Sequence, residues 1–215
     1  MASATRHHHY DTGGYRRNDT FLEDAEYGRA LDALVKGCVD VLVLDPSGAR
    51  VLLGLRKHEP ALGDWWYVGG RMRCGERVEE TARRHALRDI GIDMDVGRFT
   101  YVGSSTMNWR MRVQAPAENG TCDINVVMTA RLREEETERM TMCELEYVEQ
   151  KFWDLDEVIA NVDGLFPLAI QNATRQLMFV RREDELFAAV RAGASDEEIA
   201  RLARRAHEMT CERAS

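Results

Sequence analysis

The chain has 215 residues, five cysteines and a formal net charge of −8. That length accommodates one domain with appendages and a sizeable core. The acidic balance excludes a broad phosphate-tracking surface and hence nucleic acid as a partner, but leaves room for a small anionic ligand bound locally. Cys38, Cys74, Cys122, Cys143 and Cys211 are scattered, with no C-x-x-C pair and no paired histidine spacing that would hold zinc. They read as reduced thiols in a cytoplasmic protein. No stretch approaches the roughly 18 apolar residues of a membrane span, and the first residues lack the apolar core of a signal peptide. Residues 1–20, with the His7–His9 run, are predicted to be a flexible, solvated tail.

Taken in chain order, Leu22, Ala25, Ala30, Leu31 and Leu34 predict a short helix between Phe21 and Val35. "CVDVLVL" (Cys38 to Leu44) and "ARVLLGL" (Ala49 to Leu55) flank Asp45-Pro46-Ser47-Gly48 and predict a β-hairpin. The aromatic run Trp65 to Val68 is a further strand that ends at Gly69. Val78, Ala82, Ala86 and Ile90 recur every four residues, so they form the buried face of a helix from about Arg77 to Asp89. Gly91 is placed to end that helix in the left-handed conformation. Strands are predicted near Phe99 to Ser105 and Asp123 to Leu132, separated by the exposed loop "QAPAENGT". The acidic run Glu134 to Glu138 reads as a solvated connection. Tyr147 to Trp153 is the last strand, followed by a short helix over Asp156 to Asn161. Phe166 to Arg191 reads as a long helix with Pro167 in its first turn. A final helix starts at Ser195, which has capping-box spacing to Glu198.

The helix over residues 77–89 carries His85, Arg88 and Asp89 at i, i+3 and i+4, so they project together beside the Gly69-Gly70 turn. Glycines there let backbone carbonyls approach a ligand, and an exposed carbonyl can coordinate a hard cation. At these residues the sequence resembles a Nudix box, G-x5-E-x7-R-E-U-x-E-E-x-G-U with U aliphatic. Gly70, Glu76, Arg84, Gly91 and Ile92 fall on the pattern in register, and Ala86 takes the small apolar place. The three glutamates of the pattern are here His85, Arg88 and Asp89, so one carboxylate is kept. The resemblance implies an α/β fold, an α/β/α sandwich with a mixed β-sheet. Residues 21–165 would form that domain and 166–215 a helical extension packing on it or on a dimer partner.

The depleted box, together with "LLGLRKHEPALGDWWYVGGRM", is similar to the GDP-mannose mannosyl hydrolase branch of the superfamily. Carried over by position, the Gly69 carbonyl and the Asp89 carboxylate would hold one Mg²⁺, while Arg56 and Arg71 would neutralise a diphosphate. In that branch water attacks the sugar carbon and the nucleoside diphosphate leaves. Its histidine base falls here on Val148, which leaves Glu144, Glu146 or Glu149, with Glu146 favoured. Glu76 is read as a structural residue of the helix start and Arg84 as its partner. Arg88 is either a solvated helix residue or a fixed positive charge standing where a metal would otherwise sit. Arg56, Arg71 and Arg88 are therefore the substrate-binding candidates, Arg71 and Glu146 the catalytic ones.

Three functions follow from the resemblance. The leading one is a magnesium-dependent hydrolase of a nucleoside diphosphate linked to a sugar or similar group. The second is a pyrophosphatase that cleaves the phosphoanhydride, and the third a non-catalytic sensor of such a ligand. "ELFAAVRAGASDEEIARLARRAHEMT" is faintly like a helix-turn-helix, but the acidic chain favours a docking or homodimer-forming helix pair.

Overall fold

The computed structural model describes residues 7–18 and 20–211, so residues 1–6 and 19 of the predicted tail lie outside the described residues. The first helix, α1 (Asp24–Ala33), leads into the strand β1 (Lys36–Leu44), and the hairpin returns along β2 (Arg50–Arg56). The turn closes because Asp45 accepts the Ala49 and Arg50 N–H groups at 3.1 Å each, with Gly48 at φ 77°. The aromatic run divides into β3 (Trp65–Trp66) and β4 (Val68–Arg71), then α2 (Val78–Ile90) follows. The chain continues through β5 (Thr100–Trp109), β6 (Thr121–Arg131), α3 (Glu134–Arg139), β7 (Tyr147–Asp154) and α4 (Leu155–Ala160). Two helices, α5 (Leu168–Arg191) and α6 (Asp196–Cys211), end it.

The seven strands form one mixed sheet. β1 is central: it runs parallel to β6 and antiparallel to β2 and β4, while β3 and β7 both pair with β2, and β5 borders β6. Alternation along β1 explains why it lies in the middle. Val39, Val41 and Val43 enter one core with Val78, Ala82, Ala86 and Ile90 of α2. Leu42 and Leu44 enter the opposite core with Ile170, Ala173 and Leu177 of α5. A strand that is apolar on both faces is stable only between two helical layers, which is the α/β/α arrangement.

The helix α2 begins one residue after and ends one residue after the predicted span, stopped by Gly91 at φ 70° with its N–H on the Leu87 carbonyl. The acidic run is not a solvated connection. It is α3, and its Glu136 is buried and takes Arg98 Nη1 at 2.6 Å and the Arg133 N–H at 2.9 Å. The periodicity of a single helical turn and a half was too short to register in the sequence. At the far end the Glu198 N–H reaches Ser195 Oγ at 3.3 Å, and Leu202 and Ala206 of α6 are buried.

One glycine matters to the site. Gly54 of β2 lies beneath the ring of Tyr147, and a Cβ there would overlap that ring. Gly54→Ala is expected to cost about 1–3 kcal/mol through overpacking, seen as a lower urea midpoint with an unchanged slope.

Candidate active site

The site is built where the C-terminal turn of α2 meets β4. Asp89 is fully buried. Its Oδ2 accepts the Gly69 N–H at 3.1 Å and lies 3.2 Å from the Tyr147 hydroxyl, whose oxygen is also 2.9 Å from the Tyr67 carbonyl. The neighbouring guanidinium completes the arrangement: Arg88 Nε donates to Asp89 Oδ1 and Nη2 to Asp89 Oδ2 at 2.9 Å. The same Nη2 reaches the Gly69 carbonyl at 2.9 Å. Burial pushes the Asp89 carboxyl up, against the opposing pull of Arg88.

Arg88 Nη1 points the other way, 3.8 Å from Glu146, and Arg56 Nη1 donates to the second oxygen of that carboxylate at 2.8 Å. Glu146 is brought here by the segment after α3. The Thr141 N–H bonds the Ile90 carbonyl at 3.0 Å and the Cys143 N–H the Asp89 carbonyl at 3.0 Å, so this segment caps the end of α2. Of the other two glutamates, the Glu144 carbonyl accepts Lys57 Nζ, and Glu149 lies on β7 opposite Leu55. Arg71 is exposed, with its guanidinium 4.4 Å from the centre of the Tyr27 ring.

The other end of α2 is held by Glu76. Its carboxylate accepts Arg84 Nε and Nη2 at 2.6 Å each, the Arg73 N–H at 2.9 Å and Thr81 Oγ1 at 2.8 Å. Burial pushes this carboxyl up, but the bonds from Arg84, Arg73 and Thr81 outweigh it and bring it down to about 2. His85 is buried as well. Burial, with Arg88 and Arg84 nearby, brings its pKa down to about 3, so it is a neutral imidazole. Its Nε2 lies 3.2 Å from the Arg71 carbonyl, an acceptor, and 3.3 Å from Arg84 Nη1, a donor. Its Nδ1 is buried without a hydrogen-bond partner among the described residues.

Whether these residues suit a divalent metal is decided by their donors. A hard cation needs several oxygen ligands. The Gly69 carbonyl and both Asp89 oxygens are engaged by Arg88, and His85 cannot replace a carboxylate. No group of three or more His, Cys, Asp or Glu suited to a metal occurs among the described residues. The donor set at Gly69 and Asp89 as arranged here does not fit Mg²⁺.

Tyr147 escaped the sequence reading, because an aromatic residue in a predicted strand carries no sign of a polar role. So did a polar cluster on β1 and β6. Asp40, pushed up to about 6 by burial, accepts Asn125 Nδ2 at 2.7 Å and Trp66 Nε1 at 3.3 Å. A lone aspartate inside "CVDVLVL" was the signal available for it.

A mixed sheet between helices, with a glycine turn feeding a helix whose last turn carries the polar cluster, defines an α/β/α sandwich domain. The model of the NUDIX domain matches residues 36–177, and the chain belongs to that family. Over 70 residues the chain is 41% identical to the oxidized purine nucleoside triphosphate hydrolase of Mus musculus, covering 30% of this chain and 44% of that protein. Over 77 residues it is 30% identical to the low-salt glycan biosynthesis protein Agl8 of Haloferax volcanii, 36% of this chain and 48% of that protein. The chain spans about half the length of the curated relatives it matches. The MutT protein of Methanosarcina mazei Go1 superposes with a TM-score of 0.51 at 16% identity, covering 66% of this chain and 91% of that one, and shares the fold. No helix among the described residues is long and apolar enough to cross a membrane.

Two outcomes are expected from this geometry. The depressed Glu76 carboxyl contributes stability that is present above its ordinary pKa of 4.5 and is lost as pH falls towards about 2. Glu76→Gln is expected to remove about 3 kcal/mol of that acid-sensitive stability, measured by urea unfolding at neutral and at acid pH. Arg88→Ala leaves Asp89 buried without its cation. Discounted for the partial exposure of Arg88, the loss is about 2–3 kcal/mol, read as a lower midpoint that recovers on adding Asp89→Asn.

Proposed function

We propose that this chain hydrolyses a nucleoside diphosphate linked to a sugar or similar group, with the water directed at the anomeric carbon. The observation that carries the reading is the meeting of Arg56, Arg88 and Glu146 beside the Gly69 turn, on a box that is in register but keeps a single carboxylate. Attack at phosphorus draws on several metal-held carboxylates. Attack at carbon asks for a stabilised diphosphate leaving group and a base that orients water.

In this reaction the water oxygen bonds the anomeric carbon while the bond from that carbon to the terminal phosphate oxygen breaks. The electron pair leaves with the nucleoside diphosphate. Arg56 and Arg88 offset its charge, joined in this reading by Arg71 of β4, which the resemblance assigns to the diphosphate, and Glu146 takes the proton of the water. Across the family the metal supplies charge stabilisation at the phosphates. In this chain that role falls to the arginines, since the Gly69 and Asp89 donors are taken. The likeness to the glycan biosynthesis protein over about a third of the chain agrees with a sugar-linked ligand. A homodimer through the C-terminal helices belongs to the same reading.

Cleavage of a phosphoanhydride is the second reading. It is favoured by the relatives named for nucleoside triphosphate hydrolysis. A sensor without turnover is favoured by the closed Arg88–Asp89 contact. Nucleotide sugars screened with and without Mg²⁺ in heavy-oxygen water separate the three. Label is expected on the hydroxyl of the released sugar, with an unlabelled nucleoside diphosphate, found by mass spectrometry of early products. Label in phosphate, or no turnover of any nucleotide sugar, overturns the proposal.

A further inference from the structure

The guanidinium of Arg88 has two sides. Nε and Nη2 are committed to Asp89 and the Gly69 carbonyl. Nη1 lies 3.8 Å from Glu146 Oε1, an ion pair beyond hydrogen-bond reach. Glu146 Oε2 is held instead by Arg56 at 2.8 Å. One carboxylate therefore bridges two guanidinium groups, well bonded to one and loosely placed before the other. Arg56 is set in position from below, its guanidinium 5.6 Å from the centre of the Tyr147 ring. Arg88 is set by a carboxylate that pairs with no other cation among the described residues. Both guanidiniums thus have partners before any ligand arrives, and each has its Nη1 beside one oxygen of the Glu146 carboxylate.

A carboxylate between two arginines offers the negative charge and the acceptor oxygens that a phosphate group would offer to the same guanidinium donors. Its side chain retains 26% of its exposure, so it can swing into solvent, whereas Asp89 cannot. We propose that Arg56 and Arg88 form an oxyanion subsite for a diphosphate that works without a divalent metal, and that Glu146 holds the oxyanion's place until the ligand displaces it. The inference rests on the proposed function for its ligand class, and it links two steps of that reaction. A diphosphate that takes the two guanidiniums frees the Glu146 carboxylate from its ion pairs. The base becomes available only when the leaving group is in place. In the ligand-free protein the carboxylate offsets the charge of Arg56 and lies before Arg88, which Asp89 already pairs.

Inorganic pyrophosphate, titrated calorimetrically into the full chain in excess EDTA, tests this. Binding is expected in EDTA and is expected to be unchanged within about twofold when Mg²⁺ replaces the chelator. Arg56→Gln should weaken it about tenfold or more, by removing one desolvated charged partner. Glu146→Gln discriminates most sharply: it removes a competitor, so pyrophosphate should bind several-fold tighter while turnover of a nucleotide sugar falls. A merely structural Glu146 would not produce that opposition. Pyrophosphate that binds only with Mg²⁺, or binding that weakens in Glu146→Gln, overturns the proposal. Arg88→Lys, which retains a charge able to pair with Asp89, guards against loss of fold, and equal affinity in that variant also overturns it, since one ammonium cannot serve Asp89, Gly69 and the oxyanion together. The function and the subsite fail separately. Turnover with Mg²⁺-dependent pyrophosphate binding removes the subsite and keeps the hydrolase, while metal-free binding without turnover does the reverse.

Discussion

A carboxylate without access to water must be fully hydrogen-bonded, and the arrangement around Asp89 follows from that condition. Its oxygens are met by the Gly69 N–H, the Tyr147 hydroxyl and the Arg88 guanidinium, which come from β4, β7 and α2. Each of those groups is held in turn. The Tyr147 ring needs the space left by Gly54, and the end of α2 needs the backbone donors of Thr141 and Cys143. One buried charge therefore joins the helix to two other segments, β4 and β7, and the Glu146 loop is carried to the site by the backbone bonds of Thr141 and Cys143 to the end of the helix.

At the opposite end of α2, Glu76 and Arg84 hold the helix start against the loop that leaves β4. The two ends have different characters. Glu76 is satisfied by neutral donors as well as by Arg84, so its carboxyl lies far below the ordinary range. Asp89 is raised, because its burial outweighs the cation beside it. The charged form of a buried carboxylate is favoured by an opposite charge beside it, and an arginine supplies a permanent one without recruitment from solvent. Arg88, where the box pattern has a glutamate, pairs with Asp89 and the Gly69 carbonyl and lies apart from the packing face of Val78, Ala82, Ala86 and Ile90.

Much of the architecture was legible because it depends on periodicity and turn chemistry. The four-residue repeat of α2, Gly91 beyond it, and the Asp45 to Gly48 turn each have a local cause that a sequence displays. The α3 helix was not legible, since a run of glutamates has no apolar stripe, and its one buried member is explained by Arg98, 38 positions away in the chain. Asp40 and Asn125 stand 85 positions apart and meet only because β1 and β6 run parallel in register. Tyr147 was read as a strand residue, which it is, with nothing local to mark its hydroxyl.

The sequence by itself determined the elements, the glycine turn, the helix that follows it and the set of charges that helix carries, because these are properties of residues a few positions apart. It also showed that one box carboxylate is kept and that an arginine stands beside it. Only the tertiary structure decided which partners those charges take. Arg88 could have pointed into solvent, and Glu146 could have paired with Lys57. The outcome depended on distances across the sheet between segments far apart in the chain, and on the exclusion of water from Asp89, which no local pattern encodes.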